Sequence, residues 1–304
     1  MKKATVIGVG SLGSCIAYEL AAREIVDQIV LIDVYHELAE GNAEDIAQAM
    51  AFRSNIDVTA GGYEDADGSD IVVVTAGKPR TPDMKSRMDL LKANTQIVKS
   101  IASNIKEIRG KPVVVTLTNP VDIMNFIMWR ITGFERRRVI GSAGMLDSAR
   151  FRRAISKRLN VPVLEVEAYV IGEHGENQVP VFSKVKVKGE KKAFSKEERV
   201  EITEEIRQSA LNVISKKGRT VYAPASNTAN IIQMIIEGDS RLAIVSTVLD
   251  GEYGLKGISI GVPAELGSRG VERVIEWGLD EDEKSIFYKG AENMKRIIEE
   301  ISLP

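Results

Sequence analysis

The segment Val6-Ile7-Gly8-Val9-Gly10-Ser11-Leu12-Gly13-Ser14 sets three glycines within six positions, directly after a β-branched apolar run. It lies between a predicted strand, Ala4 to Gly8, and a predicted helix, Leu12 to Arg23. In that context each missing side chain of G-x-G-x-x-G has a use. Gly8 permits a tight turn, Gly10 lets a pyrophosphate approach the backbone, and Gly13 lets the helix pack on the strand. Free N–H groups at the helix start then face the anion. Chance glycines in an ordinary strand-to-helix turn would give the same string, but a second feature weighs against them. Asp33 ends the next strand, L-I-D, at 33 − 13 = 20 residues past the last glycine. An acid there accepts hydrogen bonds from an adenosine ribose. Together the two features predict NAD. The same carboxylate repels a 2′-phosphate, which leaves NADP as the weaker alternative.

The alternation continues outward from this turn. Q-I-V-L-I-D, Asp70 to Thr75 and Lys111 to Thr118 are short apolar runs separated by amphipathic stretches, the longest from about Met88 to Ile108. Such a pattern predicts an α/β fold, with parallel strands covered on both faces and joined by crossover helices. After Val139–Gly141 the pattern changes. A helix around Ser148–Arg158 leads to runs at Leu164–Ile171 and Val179–Val187 that alternate apolar with polar. These predict an α+β half with a partly exposed antiparallel sheet. Further helices are predicted over Glu197–Lys216, Ala229–Ile236 and Asp282–Ile301. The expected division is a Rossmann-type dinucleotide-binding domain over 1–141 and a catalytic, substrate-binding domain over 142–304. With no linker between them, the two should share a wide interface.

Composition excludes several classes. The 304 residues are 44% hydrophobic, enough for a sizeable core, and the net charge of −2 has both signs interspersed. That gives no electrostatic case for nucleic acid or an anionic membrane as partner. The start is too short in apolar residues for a secretory signal, and no segment reads as a bilayer span. The single cysteine, Cys15, precludes an intramolecular disulfide and any multi-cysteine metal site, so a reducing, cytoplasmic setting is expected.

A nicotinamide enzyme acting on an alcohol moves a proton as well as a hydride, and near neutral pH the usual carrier is histidine. The chain has two. His36 follows Asp33, on the adenosine side of any bound dinucleotide. His174 sits in V-I-G-E-H-G-E-N, at the end of a predicted strand, and is the candidate. A carboxylate that fixes the imidazole tautomer would assist it. G-S-A-G-M-L-D-S-A-R offers Asp147 and Arg150, although taken alone that segment reads as a helix-capping Asp and a surface Arg. The loop A-G-K-P-R-T-P-D-M-K-S-R follows a buried strand at the edge where such sheets bind ligands. It carries Arg80 and Arg87, whose forked guanidinium groups suit carboxylates. Asn119 closes V-V-V-T-L-T-N-P, where its amide would reach both cofactor and substrate, or simply form an Asn-Pro turn.

In this order, and along nearly the whole chain, the motifs G-x-G-x-x-G, Asp33, A-G-K-P-R, T-N-P-V-D-I, G-M-L-D-S-A-R-F-R, G-E-H-G-E-N-Q-V-P and G-V-P-A-E-L-G resemble the lactate/malate dehydrogenase family. The resemblance is greatest to its lactate-dehydrogenase-like malate dehydrogenases. It implies a proton relay of His174 and Asp147, which stand 174 − 147 = 27 residues apart as the family expects. Arg150 would hold the substrate C1 carboxylate, Arg87 would close over the substrate and polarise its carbonyl, and Asn119 and Thr220 (in K-G-R-T) would add contacts. Cofactor contacts are expected at Gly8, Gly10, Gly13, Asp33, Asn94 and Asn119, with no metal. In this family the Arg80 position separates malate from lactate enzymes. An Arg there pairs with the second carboxylate of oxaloacetate, whereas over the methyl of pyruvate it is buried unpaired, at a penalty of several kcal/mol. Arg80 therefore predicts malate. The loop departs from the family's P-R-x-P-G-M-x-R by lacking the glycine and placing the second arginine one residue later. A homodimer or homotetramer is implied.

Three alternatives follow from the same residues. A lactate or general 2-hydroxyacid dehydrogenase is disfavoured by Arg80. An NAD-dependent glycosidase shares this type of nucleotide domain but needs a metal site, and a non-catalytic NAD(H) sensor has no use for His174, Asp147 and three arginines.

Overall fold

The run Lys3–Ile7 forms strand β1, and the glycine turn leads from it into helix α1, Ser11–Ala22. The computed structural model describes residues 1–78 and 87–301, with side chains at all of these except 87–89. Strand and helix then alternate: β2 (Gln28–Ile32), α2 (His36–Met50), β3 (Asp57–Ala60), β4 (Ile71–Val74), α3 (Arg87–Ile105), β5 (Val113–Thr116), α4 (Val121–Thr132) and β6 (Val139–Gly141). The strands pair in parallel in the order β3-β2-β1-β4-β5-β6. Order reverses between β1 and β4, which opens the crevice where such sheets take ligands.

Because successive strand residues point to opposite faces, each apolar run serves two layers. Ile71 and Val73 of β4 share a core with Ile16 and Leu20 of α1 and Ile46 of α2. Val72 and Val74 face Val98, Ile101 and Ile105 of α3, together with Ile123 and Ile127 of α4. The continuous apolar runs seen in the sequence are what this two-sided burial requires.

The rest of the chain comprises α5 (Gly144–Leu159), β7 (Val166–Glu167), β8 (Val170–Gly172), β9 (Gln178–Pro180), β10 (Lys186–Val187), β11 (Glu190–Lys191), α6 (Lys196–Lys217), α7 (Tyr222–Glu237), β12 (Arg241–Asp250), β13 (Lys256–Gly267), β14 (Gly270–Val274) and α8 (Glu281–Glu300). The change of pattern after Gly141 falls inside one continuous sheet. Ser246 of β12 lies antiparallel against Gly141 of β6, and β13, β8, β9 and β14 follow, giving eleven strands among the described residues. Helix α7 returns to the first half, where Ala229 and Ile232 join the core of α1. A separate small sheet, β11-β10-β7, packs with α5 and α6 around Phe151, Phe182 and Ile202.

The runs Leu164–Ile171 and Val179–Val187 differ from expectation, since neither is one strand. β7 and β10 pair in the small sheet, whereas β8 and β9 pair with each other in the large one. A chain that changes sheets partway must bend, and the second run does so through a 3₁₀ turn at Phe182–Lys184.

Two helix starts are set by capping boxes, in which a side chain and a backbone N–H are satisfied reciprocally. Ser195 and Glu198 begin α6, and Asp280 and Glu283 begin α8. Glu283 is buried, and its carboxylate also accepts from the N–H (2.8 Å) and hydroxyl (2.7 Å) of Ser183. This anchors α8, whose Phe287 is fully buried, across β8 and β9. Truncating such an aromatic to Ala costs about 3–5 kcal/mol.

Candidate active site

The glycine turn has the shape of an anion cradle. Gly8 has φ +93, and a Cβ there would stand 2.5 Å from the backbone nitrogen of Ala76. A Cβ on Gly13 would lie 1.9 Å from the carbonyl oxygen of Gly8. Gly10 differs, because nothing lies within 4 Å of the corresponding point. Its side is open, and that is the side a pyrophosphate needs. Helix α1 begins there with no side-chain cap and no acid in its first turn, which leaves its N–H groups and dipole directed outward. Asp33 closes the back of the turn: Oδ2 accepts from Val9 N–H at 2.7 Å and Oδ1 from Tyr35 N–H at 3.0 Å. Each oxygen keeps a lone pair for a ribose hydroxyl. These residues fit a dinucleotide.

His174 of the turn after β8 and Asp147 of α5 meet. Nδ1 of His174 lies 2.6 Å from Oδ2 of Asp147, and Arg150 Nη1 donates to Oδ1 of the same carboxylate at 2.9 Å. Asp147 stands in the first turn of α5 yet caps nothing, since the helix has no side-chain cap and both carboxylate oxygens are engaged. Its side chain is 4% exposed and that of Arg150 16%, so the reading of a capping acid with a surface arginine is replaced by a buried ion pair. The His174 side chain retains 24% exposure, enough to present its other nitrogen to a ligand. Burial alone would lower the imidazole pKa. The facing Asp147 carboxylate, helped by Asp122, outweighs burial and the opposing Arg150 charge, and the net shift is upward.

The loop that carries His174 is held from several sides. Gly172 ends β8 with φ +87, opposite Gly261 of β13, where a Cβ would stand 2.7 Å from the Gly172 carbonyl. Glu173 is buried and accepts from Asn177 Nδ2 at 2.5 Å and from Asn293 Nδ2 of α8 at 3.2 Å. The peptide N–H of His174 donates to Oδ2 of Asp122 at 2.8 Å, and Ser246 Oγ donates to Oδ1 of Asp122 at 2.5 Å. Sequence reasoning passed over Asp122. The available signal was a lone acid in the largely apolar helix start V-D-I-M-N-F-I-M-W.

The other expected residues fall in varied places. Asn119, in the turn between β5 and α4 and followed by a cis peptide bond to Pro120, is exposed. Asn94 of α3 is buried. Its Nδ2 donates to Asn119 O (2.8 Å) and Lys78 O (3.3 Å), and its Oδ1 accepts from Lys78 N–H (2.8 Å). It thus ties the loop after β4 to Asn119. Thr220 is half-buried in the turn between α6 and α7, which Arg219 fastens to α1 through Ser11 Oγ at 3.2 Å. His36 starts α2 beside Asp33, with Nε2 3.3 Å from Glu40, apart from the relay. Arg80 lies outside the described residues, as does the side chain of Arg87, the first residue of α3. Among the described residues, no three His, Cys, Asp or Glu side chains converge as metal ligands, and no helix is long and apolar enough to cross a membrane.

Comparison with known proteins gives concordant matches. Residues 2–141 match the model of the lactate/malate dehydrogenase NAD binding domain, and residues 144–302 match that family's alpha/beta C-terminal domain. The chain is 43% identical to the malate dehydrogenase of Halobacterium salinarum over 305 aligned residues, covering 99% of this chain and 100% of the relative. It is 35% identical to the L-lactate dehydrogenase of Thermoanaerobacter pseudethanolicus, covering 100% of both. Among solved structures, the minor L-lactate dehydrogenase of Enterococcus mundtii superposes with a TM-score of 0.95 at 30% identity, covering 100% of this chain and 99% of that one.

Proposed function

The chain belongs to the lactate/malate dehydrogenase family and is an NAD-dependent dehydrogenase, and on that premise we propose that its substrate pair is L-malate and oxaloacetate. The observation that carries the dehydrogenase chemistry is His174 Nδ1 at 2.6 Å from Asp147, with Arg150 on the far oxygen of the same carboxylate. The choice of malate is supported by Arg80, which suits a second substrate carboxylate, and by the identity to a malate dehydrogenase.

Bound NAD+ supplies the acceptor for the hydride that leaves C2 of malate. The chain's own residues handle the rest. Neutral His174 carries its proton on Nδ1, donated to Asp147, which frees Nε2 to take the proton of the 2-hydroxyl. Asp147 stabilises the resulting imidazolium and holds the ring in orientation. Arg150 spends one N–H on Asp147 and keeps others for the C1 carboxylate, so one guanidinium sets substrate and relay in register. In the reverse direction His174, now cationic, protonates the carbonyl oxygen. Arg87 polarises that carbonyl and Arg80 pairs with the C4 carboxylate. Asn119 and Thr220 add substrate contacts. Asn94 acts through Asn119, and residues 1–141 and 142–304 serve as the nucleotide and substrate halves. We read the protein as a cytoplasmic homodimer or homotetramer.

The test is a matrix of oxaloacetate and pyruvate, each with NADH and NADPH. Oxaloacetate with NADH is expected to give the highest kcat/KM by orders of magnitude, and a preference for pyruvate would overturn the malate reading.

A further inference from the structure

We propose that Asp122 is a positioning residue of the proton relay: its buried carboxylate clamps the peptide N–H of His174 and adds a second fixed negative charge behind the imidazole. The inference rests on the reading of His174 as the proton carrier and deepens it. Asp122 is the second residue of α4 and is 3% exposed. Oδ2 accepts the His174 N–H at 2.8 Å, while Oδ1 accepts the Ser246 hydroxyl at 2.5 Å. Ser246 lies opposite Gly141, just before α5 and Asp147. One turn along α4, Asn125 donates to Ser246 O (3.2 Å) and Ser259 Oγ (3.0 Å), which fixes α4 on the β12–β13 hairpin. One carboxylate thus joins α4, β12 and the catalytic loop, and the clamp sets where the imidazole stands relative to Asp147.

The charged groups around this point are His174 and Glu173 from the loop and, beyond the imidazole, Asp147 and Arg150 from α5. Burial pushes the Asp122 carboxyl up to about 6 against the pull of its Ser246 and His174 hydrogen bonds. Above that value it adds negative charge near the imidazolium formed in turnover, whose ring Asp147 contacts directly.

Asp122→Asn isolates the charge. The amide oxygen still accepts from His174 N–H, and the amide NH₂ donates to Ser246, whose hydroxyl exchanges donor for acceptor. Asp122→Ser is too short to reach and removes the clamp as well. The chain has two histidines, so imidazole proton NMR of the enzyme free of substrate and coenzyme gives two titration curves, with the exposed His36 as internal control. In Asp122→Asn the His174 midpoint is expected to fall by about half to one pH unit, the His36 midpoint to stay, and the pH limb of keto-acid reduction to move down equally. At its optimum Asp122→Ser should turn over about tenfold or more slowly than Asp122→Asn through misplacement of the imidazole, with KM for NADH the same in both. A His174 midpoint that stays put in both variants, or a Ser variant as active as the Asn variant, would overturn the proposal. Because the titration uses no substrate, its outcome is separate from the choice between malate and lactate.

Discussion

Asp147 shares its carboxylate between two partners, with one oxygen 2.6 Å from His174 Nδ1 and the other 2.9 Å from Arg150 Nη1. The two partners act on the imidazole in opposite senses, since the carboxylate raises its pKa and the guanidinium lowers it. Asp147→Asn is therefore expected to move the falling limb of keto-acid reduction to lower pH. It should also cut kcat by about 10²–10⁴, because the amide can stabilise the wrong tautomer. A pH–rate profile with its limb in place would refute the relay.

Arg150→Gln should move the same limb the other way, to higher pH, because a positive charge near the imidazole is gone. It should also raise KM for the keto acid by about tenfold to a hundredfold, since a charge-assisted carboxylate bond contributes about 1.5–3 kcal/mol. Steady-state kinetics between pH 6 and 9 measure both effects.

The arginine proposed to select the substrate gives the third test. Arg80→Gln should lower kcat/KM for oxaloacetate and raise it for pyruvate, as the unpaired charge over a methyl group is removed. An unchanged ratio would show that Arg80 does not read the substrate.

Gly10 and Gly13 should separate cofactor binding from folding. At Gly10 the protein leaves the Cβ position empty, so Gly10→Ala is expected to keep Tm while weakening NADH by tenfold or more, about 1.4 kcal/mol. At Gly13 the Cβ would meet Gly8 O at 1.9 Å, so Gly13→Ala should lower both Tm and NADH affinity. Thermal melts with and without NADH distinguish the two.

Stability should fall with rising pH through His174 and the buried Asp122. The folded pKa of His174 is raised, so its pairing contributes fully below about pH 6.5, and that contribution is lost as pH rises through the folded value. Asp122 is raised from 3.8 to about 6, so the fold favours its protonated form and loses that preference as pH rises from about 4 to 6. Relative to wild type, Asp122→Asn should gain up to about 3 kcal/mol across that window. Melts of the two proteins at pH 4, 5, 6 and 7 measure the difference.

Much of the first half was legible because the signals were local. Apolar runs of strand length between amphipathic stretches predicted β1, β2, β4 and β5, each observed within two residues of its expected span. The second half was less so. Leu164–Ile171 and Val179–Val187 looked like whole strands because alternation is scored along the chain, whereas the decision to change sheets is made by partners remote in sequence. The hairpin of β12 and β13 was not among the expected strands, and its place beside β6 depends on a single antiparallel register, Ser246 against Gly141.

By itself the sequence determined which chemical groups this protein holds: a glycine turn with an acid about twenty residues on, one histidine away from the nucleotide end, and an aspartate and arginines in motifs of one family. Only the tertiary structure decided that Asp147 is buried with both oxygens engaged and caps no helix, and that Asp122 holds the peptide N–H of His174. The reason is physical. A carboxylate's role is set by which donors lie within about 3 Å of its oxygens, and those donors come from segments 27, 52 and 124 residues away that only folding brings together.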